Sequence, residues 1–362
     1  MRDLLTAASE EAALEDLHRK GLTDGLPVVV PTPSRVDRMA LASGNDPDMV
    51  IGTMGPGNGV ATIEKIAVAA VMAGCVPDHM PVVLAAVKAV INPLFDLTEM
   101  QATTHCTAPL IIVNGPARFS CGPISSGYGA LGPGHRANAS IGRALRLAMI
   151  NIGGGRPGSS DMALLGHPGK FTYCLAENEE DSPFEPLHTC FGFETDESIV
   201  TVMGAEAPHS VLFGADGDDP KCYRGLLDIL AIGLANPATN NAILTGGSAL
   251  IILNPEHAAV LADAGLSRGT ISEELYTRCA HTEKDIRRLV PAFSSNREGN
   301  RNAFTGPEQI LIMMAGGSGL YSMAIPTWSA GAHKNSPSCE KIETDFFCEI
   351  PEKKINKHER LR

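Results

Sequence analysis

The sequence predicts an α/β protein made of two pseudo-repeated α/β halves with mostly buried sheet strands, preceded by an N-terminal helical arm. Three observations predict this fold class. Short apolar runs alternate with longer helical patterns, one helix-then-strand pattern recurs later in the chain, and the first fifty residues carry a separate amphipathic pattern. Such alternation is typical of a sheet whose strands are covered by helices.

The recurrence is clearest where a helix is followed by a buried strand. A helix closed by Asn92-Pro93 has a counterpart closed by Asn236-Pro237, since proline stops a helix, and a strand ending at Asn114 has one ending at Asn254. The offsets, 92 to 236 and 114 to 254, are 144 and 140 residues. We therefore predict an arm and linker at 1–49, a first half at 50–195, a second half at 196–335 and a charged tail at 336–362.

Each half is expected to contain both kinds of element. Apolar runs bounded by turn residues predict the strands, and longer patterns with glycine or proline stops predict the helices. The predicted strands are 110–114, 171–176, 199–203, 249–253 and 310–315. The predicted helices lie near 61–73, 80–91, 136–151, 222–235 and 256–264.

Composition excludes several classes of partner. The net charge is −12 and aromatic residues make up 5 % of the 362 residues, which disfavours nucleic acid and anionic membranes. No apolar run is long enough to span a bilayer, and the acidic N-terminus does not read as a secretory signal. Nine cysteines without a C-x-x-C pair fit a reducing cytoplasm. An oligomer is expected, with the tail as a solvated segment or subunit contact.

The stretch "SSGYGALGPGHRANASIGRALRL", residues 125–147, predicts an anion site. Glycines allow close backbone approach, the following helix offers free N–H groups, and its arginines can grip a carboxylate or phosphate. The alternative is a crossover packed between the halves, with Arg136 paired to an acidic neighbour. The predicted substrate-binding residues are Gly127, Gly129, Gly132, Gly134, Arg136, Asn138 and Arg143.

The same loop does not fit a dinucleotide site. "GYGALG" satisfies G-x-G-x-x-G, but twelve residues separate it from the preceding strand and no acidic residue follows at the expected place. A nucleotide cofactor is therefore not expected. Two further glycine-rich loops, 52–66 and 315–323, favour a cleft shared by all three.

Three residues are candidates for acid–base chemistry or metal binding. His105 lies just before a strand, Glu177 stands at a predicted strand end, and His188 follows in the same acidic loop. His105 and His188 would be the ligands if the protein is a metalloenzyme, with Zn or Fe as the metal. The alternatives are a capped turn for His105 and a solvated loop for most of the acids.

Cys121 is a candidate nucleophile. It precedes the glycine loop by six residues, and a thiol near a helix N-terminus and arginines would have a lowered pKa. No G-x-S-x-G, H-E-x-x-H or Walker A motif is present, which disfavours α/β-hydrolases, zincins and P-loop kinases.

Four segments together resemble a poorly characterised bacterial family often found beside thiol or selenocysteine proteins with a UGSC motif. The segments are "DGLPVVVPTPSRVDRM", "EKIAVAAVMAGCVPDHMPVVLAAVKA", "LIIVNGP" and "GYGALGPGHRANASIGRALRLAMINIGG". The resemblance implies a thiol-protein partner, because this chain has no UGSC motif of its own. It carries no reaction and no catalytic residue over to this chain.

These observations predict an enzyme that cleaves or forms a carbon–heteroatom bond in a small carboxylate-type substrate. The lyase and hydrolase classes both stay open, and the enzyme could be one subunit of a complex with a thiol protein. One alternative is a metal-dependent hydrolase or hydratase using His105 and His188. The other is a non-catalytic binding or scaffold subunit.

Overall fold

The computed structural model describes residues 5–295 and 299–344. The helices are α1 (Glu10–Arg19), α2 (Pro33–Leu41), α3 (Ile63–Ala73), α4 (Met80–Ile91), α5 (Leu97–Ala102), α6 (Ala117–Ser120), α7 (Arg136–Asn151), α8 (Tyr223–Leu234), α9 (Asn240–Leu244), α10 (Pro255–Asp263), α11 (Arg268–Arg278) and α12 (Glu283–Leu289). The strands are β1 (Val50–Met54), β2 (Gly59–Thr62), β3 (Ala108–Asn114), β4 (Cys174–Ala176), β5 (Ile199–Ala205), β6 (His209–Leu212), β7 (Ala249–Leu253), β8 (Ala280–Thr282), β9 (Asn300–Asn302), β10 (Ile310–Met314), β11 (Tyr321–Ile325) and β12 (Ser338–Lys341).

Two four-stranded mixed sheets form the centre of the molecule. The first has the order β4-β3-β5-β12, in which β3 is parallel to β4 and antiparallel to β5, and β5 is antiparallel to β12. The second has the order β10-β7-β11-β6, in which β7 is parallel to β10 and antiparallel to β11, and β11 is antiparallel to β6. The two sheets therefore have matching strand orders and matching strand directions.

The sheets pack face to face between two layers of helices. Leu110 and Ile112 of β3 share an inner cluster with Leu250 and Ile252 of β7. The alternate residues of β3 pack against α3, α4 and α7, whereas those of β7 pack against α8, α10 and α11. The layers therefore run helix, sheet, sheet, helix. β5 and β7 are buried along their whole length, whereas β11 begins at the exposed Tyr321.

The α/β fold class is confirmed, and each predicted strand and helix has an observed counterpart. The largest difference in length concerns β4, which begins at Cys174 rather than at 171. Residues Pro168–Lys170 form a short 3-10 turn there, and the Thr172 hydroxyl donates to the backbone of α7, so the chain joins the sheet late.

The predicted boundaries of the halves do not coincide with the sheets. β5 lies within the predicted second half but pairs along its whole length with β3. β12 comes from the predicted tail and completes the first sheet. The similar segments "GTMGPG" around Met54 and "TVMGAE" around Met203 do not correspond in the structure, because Met54 lies in the β1–β2 hairpin whereas Met203 lies in β5. The duplication itself stays a prediction, which superposition of the two sheets would test.

The N-terminal segment is helical and packs on the first half. Val36, Met39 and Ala40 of α2 are buried in the cluster that contains α3. Residues 1–4 of the predicted arm and 345–362 of the predicted tail lie outside the described residues. In the described ranges no single helix has the length and apolarity to cross a membrane. The segments Pro77–Ile91 and Pro93–Ala102 have this length and apolarity only when they are taken together, and the pair is bent by 71°.

Candidate functional site

The glycine loop at 127–134 is held by its own neighbours. Asn138, buried in the first turn of α7, accepts a hydrogen bond from the Ser125 amide and donates to the Ser125 and Ala130 carbonyls. Gly129 and Gly134 have φ of 69° and 112°, so the loop needs glycine there. The predicted substrate-binding role of Asn138 is not supported, because its amide is used within the loop.

The two arginines predicted to bind an anion beside this loop bind other parts of the chain. Arg136 donates to the Gly74 carbonyl at the end of α3 from Nε at 3.2 Å and Nη2 at 2.9 Å. Arg143 forms a bidentate ion pair with Asp24, at 2.7 and 2.8 Å, and also donates to the Leu26 and Pro27 carbonyls. These contacts fix α7 to its neighbours. The loop is therefore packed as the crossover alternative expects, but Arg136 binds a backbone carbonyl and not the acidic neighbour that this alternative also expected.

Only two of the three glycine-rich loops meet. The Gly316 amide donates to the Ser126 carbonyl at 2.7 Å, and the Tyr128 ring fills the space that a Cβ on Gly317 would occupy. The loop at 52–66 instead contacts the end of α7, where the Gly57 amide donates to the Gly153 carbonyl at 2.7 Å. The expectation of one cleft shared by all three loops was therefore wrong.

Glu177 lies where the sequence placed it, at the carboxyl end of β4, and it is fully buried. Its Oε2 accepts from Asn114 Nδ2 at 2.6 Å and from the Leu187 amide at 2.7 Å, whereas Oε1 has no hydrogen-bond partner. Burial raises the pKa of Glu177 to about 7, although both hydrogen bonds act to lower it. Arg268 Nη2 stands 3.9 Å from Oε1. The carboxyl group can therefore hold a proton near neutral pH.

The acids that follow Glu177 are paired to a buried arginine. Arg118, with 5 % of its side chain exposed, binds Glu179 at 2.9 Å and Glu180 at 2.7 Å. Glu179 also accepts from Asn114 and from the Gly115 amide. The interpretation of a solvated acidic loop fails for Glu179, because its side chain is only 11 % exposed and is paired to Arg118. Arg118 carried no sequence signal of its own.

His188 is buried at the same end of the first sheet. It follows Leu187, whose amide binds Glu177, in a short 3-10 helix. Its Nε2 lies 2.8 Å from the Glu194 carbonyl, so Nε2 carries the proton and donates, while Nδ1 has no partner.

His105 lies at the opposite end of this sheet, just before β3. Its Nε2 is 2.9 Å from Glu206 Oε1, and its buried Nδ1 has no partner. β3 has seven residues, so roughly 20 Å separates this end from Glu177 and His188. The structure does not bring the three predicted catalytic residues together, and His105 and His188 cannot share a metal ion. In the described part of the chain, no group of three or more His, Cys, Asp or Glu could hold one.

Cys121 is fully buried, and burial raises the pKa of its thiol to about 11. The prediction of a lowered pKa and a nucleophilic role was therefore wrong. The apolar surroundings of Cys121 outweigh its closeness in sequence to α7 and its arginines.

A cavity of about 580 Å³ opens beside the second half of α7, between residues 21–24 and 155–171. This volume lies in the range of small-molecule sites. Its titratable lining consists of Asp24, Arg146, Arg156, Asp161, His167 and Lys170. The cavity therefore contains three cationic side chains, Arg146, Arg156 and Lys170, which differ in whether a carboxylate lies beside them.

Two of these cations share one buried carboxylate. Asp161 Oδ2 binds Arg146 Nη2 at 2.8 Å and Oδ1 binds Lys170 Nζ at 2.7 Å. Burial acts to raise the pKa of Asp161, but the hydrogen bond from Lys170 and the charge of Arg146 lower it. Arg156 donates to the Gly21 carbonyl and has no carboxylate partner among the described residues. Arg156 is therefore the cation of this cavity whose charge is not balanced by a carboxylate of the described residues.

His167 lines the cavity and is held by backbone groups on both ring nitrogens. It accepts from the Gly169 amide at Nδ1 and donates from Nε2 to the Ala205 carbonyl at 3.2 Å. Burial lowers its pKa, and the charges of Glu206 and His105 also act on it. His167 is therefore uncharged, because its Nδ1 accepts a hydrogen bond, and it lies near enough to His105 and Glu206 for their charges to act on its pKa.

Sequence reasoning missed Arg146, Arg156, Lys170 and Glu206. A signal was present at 153–161, "GGGRPGSSD", where glycines again surround an arginine. No family model matches this chain, and no curated protein is significantly similar to it. The family resemblance therefore stays a prediction.

Proposed function

We propose that the protein is an enzyme acting on a small carboxylate-type anion, bound in the cavity beside α7. The observation that carries the proposal is Arg156, a guanidinium without a carboxylate partner in a cavity of about 580 Å³. A guanidinium can bind a carboxylate through two parallel hydrogen bonds. The anion site therefore moves from the glycine loop to the other end of the same helix.

The His105–Glu206 pair would supply acid–base chemistry. Glu206 holds Nε2–H, which leaves the Nδ1 lone pair as the base, the arrangement of a histidine oriented by a carboxylate. Removing a proton beside a carbon–heteroatom bond, or returning one to the leaving group, are the steps such a base performs. Neither residue of the pair lines the cavity and Nδ1 of His105 is buried, so a substrate anchored at Arg156 would reach this base only after His167 or its neighbours move.

Binding is tested by titration calorimetry with sodium hexanoate, succinate and phosphate. Replacing Arg156 by Met should weaken binding about 10- to 100-fold, because a charge-assisted contact is lost. Arg224→Met is the matched control, since Arg224 is exposed and stacks on its neighbour Tyr223. Equal affinity of the two variants, or no binding of any of these anions, would contradict the proposal.

Catalysis is tested on the carboxylates that bind, supplied as 2-hydroxy and 2-amino derivatives and followed by NMR. His105→Gln should lower turnover about 100- to 10,000-fold while affinity stays within about threefold. Binding without any turnover by the wild-type chain would instead support the non-catalytic binding subunit. A thiol-protein partner, implied by the resemblance alone, would be sought by adding such a protein to the same assay.

A further inference from the structure

The three cationic side chains that line the cavity have a single carboxylate to balance them. Asp161 binds Arg146 Nη2 at 2.8 Å and Lys170 Nζ at 2.7 Å, so one negative charge is shared by two positive charges. The other acid of the lining, Asp24, already forms a bidentate ion pair with Arg143, which does not line the cavity. Three positive charges therefore face one negative charge, and the lining keeps a net charge of +2.

The two cations beside Asp161 keep hydrogen-bond donors for a ligand. Lys170 Nζ carries three N–H groups and donates one to Asp161. Arg146 donates to Asp161 and, in a long contact of 3.5 Å, to Gln101, and neither side chain has a further hydrogen-bond partner among the described residues. Burial lowers the pKa of Lys170 although the hydrogen bond and charge of Asp161 raise it, so an anion beside this ammonium group would be stabilised.

The cations form two centres that are separated along α7. Arg156 donates to the Gly21 carbonyl, and the carbonyl of the next residue accepts from Asn151, the last residue of α7, at 2.9 Å. Arg146 lies five residues before that end of α7, which is roughly 7.5 Å along the helix axis. The Arg156 guanidinium and the pair of Arg146 and Lys170 therefore line the same cavity at two places, and a ligand that contacts both must be elongated.

We propose that the ligand of this cavity is a dicarboxylate, with one carboxylate on Arg156 and the other on Arg146 and Lys170. This inference rests on the proposed function and names its substrate class. Asp161 positions the two cations of the second centre and leaves them one positive charge for the ligand. Two carboxylates would balance the charge of +2, whereas a monocarboxylate would leave one centre without an anion.

The test is a calorimetric series that pairs each dicarboxylate with the monocarboxylate of equal carbon number, using the full chain at about pH 7.5, where carboxyl groups are ionised. The pairs are succinate with butyrate and adipate with hexanoate, and phosphate serves as a compact anion. The better dicarboxylate should bind at least about tenfold more tightly than its matched monocarboxylate and than phosphate, because it makes a second set of charge-assisted hydrogen bonds. Added NaCl should weaken its binding more steeply than that of the monocarboxylate.

A charge variant tests the second centre. Lys170→Met should weaken binding of the dicarboxylate about tenfold and leave that of the monocarboxylate, which needs only Arg156, within about threefold. Lys284→Met is the matched control, because it removes the same charge from an exposed position on α12, outside the cavity lining, and should change neither affinity. Thermal denaturation establishes that both variants are folded. If Lys170→Met is not, the wild-type ratio of dicarboxylate to monocarboxylate and its salt dependence decide alone.

The outcomes separate this inference from the proposed function. Binding that depends on Arg156 but is no tighter for a dicarboxylate than for its matched monocarboxylate or for phosphate would overturn the dicarboxylate and leave the proposed function standing. A preference for dicarboxylates that Lys170→Met leaves unchanged would have the same meaning for the second centre. Binding as tight in Arg156→Met as in the wild type would overturn both, and so would no binding by any member of the series.

Discussion

Two equivalent central strands, β3 in the first sheet and β7 in the second, each lead to an asparagine, but the two asparagines have different hydrogen-bond partners. Asn114 donates to the carboxylates of Glu177 and Glu179, beside the buried Arg118. Asn254, directly after β7, donates to backbone carbonyls only, those of Gly319 at 2.7 Å and Tyr321 at 3.0 Å. Two sheets with matching strand order therefore carry a charged network in one case and a neutral one in the other.

This difference indicates which of the two halves holds the groups that could act on a ligand. His257, whose amide donates to Asn254, has its pKa lowered by burial and is held between the Ser322 hydroxyl and the Phe213 carbonyl. The first half instead holds a carboxyl group that titrates near neutrality, and the cavity with Arg156 also lies on its helical layer. The architecture is shared, but the ionisable groups that could act on a ligand are concentrated in the first half.

The largest expected effect is the loss of the charged network. Arg118→Ala would leave Glu179 buried without its cation, so the free energy of unfolding should fall by about 3–5 kcal/mol. Urea denaturation measures this. Arg278→Ala in the second half is the control, because its carboxylate partners Asp228 and Glu274 are exposed, and it should cost about 1 kcal/mol or less. Similar losses in the two variants would remove the distinction between the halves.

The position of Glu177 could be predicted from sequence, but its partners could not. A strand followed by acids places a carboxylate at a sheet edge, which is local information. Arg118 and Arg268 reach Glu177 only because β3, α6 and α11 converge there in three dimensions. In the same way Asp24, 119 residues away, binds Arg143, which the sequence pattern had assigned to an anion.

The elements were predictable because apolar runs and Asn-Pro stops are local signals. The packing of the two sheets against each other was not. β3 reads as continuously apolar, and its inward and outward residues, such as Ile112 and Ile111, are chemically alike. A strand buried on both faces therefore gives no sequence signal for which face meets a sheet and which meets a helix.

An intermediate effect is expected from the titration of Glu177. Its pKa of about 7 in the folded chain exceeds the ordinary value of 4.5, so the folded state keeps a proton that the unfolded state releases. The contribution of this group to the free energy of unfolding should fall by roughly 3 kcal/mol as pH rises from 4.5 to 7, and then stay constant. Urea denaturation between pH 4.5 and 8 should show that Glu177→Gln removes this decline.

The control for that profile is Glu273→Gln, an exposed carboxyl group on α11 of the second half. It should leave the pH dependence of the wild type in place. A Glu177→Gln profile parallel to the wild type would mean that the pKa of Glu177 is the same in the folded and unfolded chain, and the first half would then hold no carboxyl group that titrates near neutrality at this position.

The smallest effect is expected where the two halves meet, at the glycine loops. Arg136 is exposed and donates only to the Gly74 carbonyl, so Arg136→Ala should lower the free energy of unfolding by about 1 kcal/mol. Anion affinity in the calorimetric series should stay within twofold of the wild type, since this guanidinium points to α3 and not to the cavity. A tenfold loss of affinity would restore the anion site predicted from the sequence. It would also place the binding function at the junction of the halves instead of on the first half, because this loop contacts residues 316–318 of the second.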